Sequence, residues 1–157
     1  QTASDGGRIA RLIALGVPVA LLGGAYLSQY GFGLYPCEMC WWQRYALFFA
    51  LPFAVLAWVR PALRLATVLA LLGILAGGLI GGFHAGVEYG WWEGLTACTT
   101  TTNLSGGNAL DAILDAPIIR CEVAPWTLFG ISLAGWNFLI SVPAALLGLA
   151  LLRRKEA

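Results

Sequence analysis

The chain has 157 residues, of which 59% are hydrophobic and only 11% charged, with a net charge of +1 and a mean hydropathy of +0.77. Soluble domains carry about 25% charged residues, so this composition describes one domain embedded in a membrane. A near-neutral chain with no basic patch interleaved with aromatics excludes nucleic acid as a partner class and implies no bulk polyanion-binding surface.

Residues 1–8 are polar, and the first apolar run extends from about Ile9 to Ser28, flanked by Arg8 and Arg11. Gly16 and Pro18 fall inside it, which membrane helices tolerate. The run is long enough to span and lacks a clear small-residue cleavage site, so it is expected to be a span rather than a cleaved signal. A loop over 29–40 follows. Tyr26, Tyr30, Phe32 and Tyr35 suit either an interface belt or ordinary packing.

That loop ends on Cys37-Glu38-Met39-Cys40, followed at once by Trp41-Trp42-Gln43-Arg44. Two intervening residues allow the sulfurs to close a small-ring disulfide and to exchange it. If the next apolar run is a helix, Cys40 lies near its N-terminus, where free amides and the dipole favour thiolate. Arg44, four residues on, shares a face with Cys40. A zinc site would need two further ligands, and the sequence has no second Cys-x-x-Cys and no histidine cluster, so no metal is expected. A structural disulfide is the other competing reading.

The second run covers 41–59, whose length at about 1.5 Å per residue nearly crosses a hydrocarbon core of about 30 Å. Pro52 lies inside it and should kink it. Arg60-Pro61-Ala62-Leu63-Arg64 reads as a tight turn. The third run covers 65–83. Its Gly73, Gly77 and Gly81, with Gly78 and Gly82 beside them, form a small-residue face that permits close helix contact. Residues 84–126 are more polar, rich in acidic groups, and hold His84, Cys98 and Cys121. One or two helical turns lying in the interface are expected over 109–115. The fourth run covers about 127–152 and is closed by Arg153-Arg154-Lys155. Asn137 inside it is expected to face protein, as helix–helix glue or as a cofactor contact.

Four spans place Arg8, Arg11, Arg60, Arg64, Arg153, Arg154 and Lys155 on one side, which should be cytoplasmic. All four cysteines then lie opposite, in the oxidising periplasm if the source is bacterial. Spacing favours Cys37 with Cys40, leaving Cys98 with Cys121 either as a loop staple or as a second redox pair. Two pairs on one side suggest a relay. Its terminal acceptor is not a dinucleotide or a haem, since neither fingerprint is present. A lipid-soluble quinone fits best, with its headgroup near Cys40 and Arg44 stabilising negative charge. Arg44 snorkelling to headgroups is the bland alternative. His84 is expected either to hydrogen-bond the quinone or to cap the third helix.

Cys37-x-x-Cys40-x-x-Gln43-Arg44, His84 after the third span, the separated Cys98 and Cys121, and the Pro125-Trp126-Thr127-Leu128-Phe129-Gly130 segment with Trp136-Asn137 form an ordered set across nearly the whole chain. In this set the chain resembles the disulfide bond formation protein B (DsbB) family, bacterial inner-membrane thiol–quinone oxidoreductases. The resemblance implies an all-α, four-helix transmembrane bundle with both termini cytoplasmic and two periplasmic loops. It implies that a soluble DsbA-like thioredoxin-fold oxidase is reoxidised through Cys98, that Cys121 passes reducing equivalents to Cys37, and that Cys40 lies next to ubiquinone, with menaquinone as the alternative. Arg44 matches the family arginine tied to quinone function. Competing expectations are a vitamin K epoxide reductase-like enzyme, in which the Cys-x-x-Cys sits near the end of a later span, and a non-catalytic scaffold held by two disulfide staples.

Overall fold

The computed structural model describes residues 5–95 and 119–153. Four helices, each long and apolar enough to cross a membrane, dominate it: α1 (Asp5–Phe32), α2 (Glu38–Val59), α3 (Arg64–Glu88) and α4 (Leu133–Arg153). A two-residue hairpin, β1 (Thr127–Leu128) paired antiparallel with β2 (Ile131–Ser132), precedes α4. The interfacial helix expected over 109–115 falls outside the described residues.

The bundle is apolar on its outside and lined with small residues within. Leu12, Val19, Phe49, Val55, Leu72, Leu79, Ile140 and Leu147 are exposed, whereas Ala10, Ala14, Ala50, Ala54, Ala70 and Ala145 are fully buried. Lipid replaces water as the outer solvent, so large apolar side chains face out and helices associate through close packing of small ones. α3 is the central element, packed most extensively on α2 and α4. Its glycines serve two neighbours. A Cβ on Gly73 would sit 3.1 Å from the Ala46 carbonyl oxygen of α2, and one on Gly78 would sit 2.8 Å from Ser141 Cβ of α4.

α1 overruns its apolar run of 9–28 by four residues at each end, and two further helix boundaries differ from the pattern of apolar runs. α3 continues one turn past Phe83, because Val87 is still buried against Cys37 and Met39 at the start of α2 and Ala85 against Gly135 at the start of α4. It stops at Gly90, with φ +71, where the Trp91 amide donates to the Gly86 carbonyl and the Gly90 amide to Val87. This is a Schellman end, and glycine supplies the left-handed residue it needs. His84 therefore lies inside α3 and does not cap it. The fourth helix starts at Leu133, not at residue 127. Phe129 and Gly130 both have positive φ, as a two-residue hairpin turn requires, and this takes 127–132 out of the helix. Ser132 then caps α4 through its Oγ, which accepts from the Gly135 amide at 3.1 Å. The hairpin is tied to the end of α3 by Tyr89, whose hydroxyl donates to the Gly130 carbonyl and accepts from the Ser132 amide.

Arg11, Arg60, Arg64 and Arg153 gather at one end of the bundle. The Trp58 indole donates to the Arg11 carbonyl, and the Arg64 guanidinium to the Leu152 carbonyl. Cys37, Cys40 and Cys121 lie at the other end.

Candidate functional site

The site is built at the N-terminus of α2. Cys37 is the N-cap, with extended backbone, and its Sγ accepts from the Cys40 amide at 3.4 Å. One helical turn brings Cys40 back over it. The two sulfurs are 3.0 Å apart, with the Cys37 thiol donating to Cys40 Sγ. This is the reduced form of a pair whose ring closure needs little backbone movement. The Cys37 thiol is pushed up to about 12, first by its hydrogen bond to Cys40 and then by burial, with His84 acting in the opposite direction. At neutral pH the proton held between the two sulfurs therefore belongs to Cys37.

His84 approaches from α3, is 2% exposed, and places Nε2 3.5 Å from Cys37 Sγ. Its ring is held by a buried amide chain. The Gln43 side-chain amide donates to the Met39 carbonyl at 3.2 Å and to His84 Nδ1 at 3.0 Å. Gln43 Oε1 accepts from Asn137 Nδ2 at 2.8 Å; Asn137 also donates to the Gly77 carbonyl and accepts from the Ser141 hydroxyl. Reversing either amide would set oxygens against the Met39 and Gly77 carbonyls. The chain of donors therefore fixes the tautomer of neutral His84: Nδ1 accepts, and Nε2 carries the hydrogen that points toward Cys37. Asn137 is thus the glue between α2, α3 and α4.

Cys121 reaches the same place from the connector after residue 118. Its Sγ, Cys37 Sγ and a ring nitrogen of His84 all lie within 4.8 Å of one another. It packs with Ile119 on the cluster of Cys37, Met39 and Val87. The fold brings a cysteine 84 positions away in sequence to within a small rotation of the Cys37 sulfur. Cys98 falls outside the described residues, and so does any pairing it makes.

Arg44 is buried, at 6% exposure, and turned toward α1. Its guanidinium donates to Gln29 Oε1 at 2.7 Å and to the Ala25 carbonyl at 3.3 Å, and it lies over the rings of Tyr26 and Trp41 at 4.8 and 5.0 Å. Snorkelling does not describe this side chain. All of these partners are neutral, so its charge is uncompensated within the described residues.

Two cavities meet at the cysteine pair. The central one, about 230 Å³, opens among all four helices and takes in Cys40, Gln43, Arg44, His84, Glu88 and Asn137. The other, about 490 Å³, lies on the loop side against Cys37, Ile119, Arg120 and Val123. Cys40, His84 and Glu88 form walls of both. Sequence reasoning assigned no role to Gln43 or Glu88. The signal for Glu88 was its spacing of four from His84, which became meaningful once α3 continued past Phe83.

A family model for disulfide bond formation protein DsbB matches residues 7–151. A disulfide bond formation protein B of Polaromonas sp. (strain JS666) is 32% identical over 163 aligned positions, which cover 94% of this chain and 90% of that protein. An uncharacterised protein of Rickettsia prowazekii is 24% identical over 140 positions, covering 86% and 81%. No solved structure matches the chain.

Proposed function

The chain belongs to the disulfide bond formation protein DsbB family, and from that premise we propose that it reoxidises a soluble thioredoxin-fold dithiol oxidase and delivers the electrons to a membrane quinone. In this reading Cys98 is the sulfur attacked by the partner thiolate, giving a mixed disulfide and releasing Cys121. Cys121 then attacks Cys37 of the Cys37–Cys40 disulfide, and Cys40 departs as the thiolate beside the central cavity. Both cysteine loops face the periplasm, and the seven flanking bases face the cytoplasm. The vitamin K epoxide reductase-like alternative gives way to the family match.

One observation carries this reading: Cys121 of the second loop stands within 4.8 Å of Cys37 and His84, at the buried head of the first loop's pair. A disulfide staple between residues 98 and 121 has no need of that approach, whereas exchange between pairs requires it.

The central cavity fits the headgroup of the implied cofactor. Its volume of about 230 Å³ lies below the range of about 300–1,000 Å³ for sites that enclose a drug-sized ligand, so it suits a ring with its tail left in lipid. Cys40, Arg44, His84 and Glu88 supply the polar wall, and Ala20, Leu21 and Gly24 of α1 the apolar one. A quinone bound there supplies a sink for two electrons and two protons. Arg44 would orient the ring and stabilise negative charge on its oxygen. His84 holds its N–H on the Cys37 sulfur, favouring charge there when that sulfur is displaced.

The test is oxidation of a purified DsbA-like dithiol by this protein in detergent, with and without added ubiquinone or menaquinone, alongside visible spectra of the protein during reductive titration. Catalytic oxidation should require the quinone, and the spectrum should change when Cys40 is freed. Turnover indifferent to quinone would sink the reading.

A further inference from the structure

Among the described residues Glu88 is the one buried carboxyl at the site, and beyond lining the cavity it has no step in the relay. Its side chain is 3% exposed, with Oε1 3.7 Å from His84 Nε2. Oε2 has no hydrogen-bond partner among the described residues. It stands on the wall shared by the loop-side and central cavities. The groups that face it are His84 from α3, Cys37 and Cys40 from the head of α2, Ser132 from the start of α4, and Arg120 across the loop-side cavity. Arg44 lines the central cavity, but its guanidinium is turned to α1.

We propose that Glu88 takes up a proton when the Cys37–Cys40 disulfide is reduced, and holds it at the edge of the central cavity until the pair is reoxidised. This rests on the reading of Cys37 and Cys40 as the inner redox pair. His84 has a single N–H to offer, because Nδ1 is occupied by Gln43. That hydrogen has Cys37 Sγ at 3.5 Å and Glu88 Oε1 at 3.7 Å in reach, with the Cys121 backbone also against the ring. A disulfide sulfur is a weak acceptor, so in the oxidised state the N–H serves Glu88. Reduction leaves a thiolate on Cys40, which shares both cavity walls with Glu88, and so sets two negative charges close together in a buried site. A carboxylate beside that thiolate, with Oε2 unpartnered among the described residues, is a costly state that one proton relieves.

The balance closes. Two electrons from the partner dithiol, arriving through Cys121, break the Cys37–Cys40 bond and leave two negative charges on sulfur. One proton binds between the sulfurs on Cys37, and a second binds Glu88 as its neutral acid, so the site gains two electrons and two protons without net charge. Reoxidation to the disulfide releases the same two electrons and two protons, the complement a quinone consumes. Both protons enter from the loop-side cavity and stand on the wall of the central one.

The experiment uses quinone-free protein carrying Cys98→Ser and Cys121→Ser, so that only the inner pair titrates. Reduced-minus-oxidised infrared spectra should show the C=O stretch of a protonated carboxylic acid, and an indicator dye should report two protons taken up per pair. Glu88→Gln should abolish the band and lower the uptake by one proton, at an unchanged thermal midpoint. Glu88→Asp, which keeps a titratable carboxyl if the amide damages the fold, should retain a shifted band. A band that survives Glu88→Gln, or no carboxyl band in the parent, would overturn the proposal while leaving the redox reading intact. Failure of the inner pair to cycle at all would instead overturn the redox reading on which it rests.

Discussion

The charge on Arg44 is the feature a single substitution tests most directly. Its hydrogen bonds go to an amide and a backbone carbonyl, and its faces meet two aromatic rings. No carboxylate neutralises it within the described residues, so its field falls on the central cavity that Cys40 also lines. Arg44→Met keeps apolar bulk and removes both the charge and the link to α1. Hydrogen bonds to charged groups contribute about 1.5–3 kcal/mol, so a lower thermal midpoint is expected. We expect quinone-dependent turnover to fall about tenfold or more, with a raised quinone KM, while the mixed disulfide at Cys98 forms at its normal rate in the other loop. Arg44→Lys should recover only part of the loss, because an ammonium lacks the planar fork that reaches Gln29 and Ala25 together. Parallel loss of both steps would show damage to the bundle and no specific role at the cavity.

At the scale of the helix, a glycine of α3 that carries the site differs from one of α1 that touches nothing. A Cβ on Gly81 would lie 2.9 Å from the Ala134 carbonyl, 3.0 Å from Asn137 Nδ2 and 3.1 Å from Gln43 Oε1. It would press on the amide chain that orients His84. Gly81→Ala is therefore expected to destabilise by about 1–3 kcal/mol, the usual cost of overpacking, and to lower activity through His84. Gly16 of α1 has nothing within 4 Å of the same Cβ, so Gly16→Ala should be neutral or gain up to about 1 kcal/mol from helix propensity. Unfolding midpoints of the two variants in detergent separate these cases. Equal stability of Gly81→Ala and the parent would mean that α2 and α4 can move apart there without cost. Gly77 is less confined, 3.3 Å from Ala46 Cβ, and should accept Ala but not Leu.

Across the whole molecule, the two ends of the bundle differ in kind. One end gathers Arg11, Arg60, Arg64 and Arg153, tied by hydrogen bonds between α1 and α2 and between α3 and α4. The other holds Cys37, Cys40, Cys121 and a rim of Tyr89, Trp91, Trp92, Trp126 and Phe129, all of them exposed. The positive end should face the cytoplasm. In a background with its own cysteines replaced, Ala62→Cys should resist an impermeant maleimide applied to intact spheroplasts, while a lone Cys121 should react. The reverse pattern would invert the molecule and place the relay in a reducing compartment, where disulfides do not persist.

The sequence by itself determined four apolar helices, the charged end and the Cys-x-x-Cys at the head of the second helix, because length, charge and spacing are local quantities. The ordered motifs also pointed to the family that the comparisons then showed. Local pattern placed Arg44 one turn from Cys40, and it did so correctly. Apolar runs did not mark where α3 ends and α4 begins, since a buried Ala85 and Val87 extend one helix and a positive-φ turn at Phe129-Gly130 delays the other. Only the tertiary structure decided what His84 and Glu88 touch, and that Gln43 and Asn137 fix the histidine tautomer from two other helices. The reason is physical. A buried polar group must find its partner wherever the packed helices place one, and the separations here, 41 residues from Gln43 to His84 and 94 from Gln43 to Asn137, are set by which glycine faces let the helices close together.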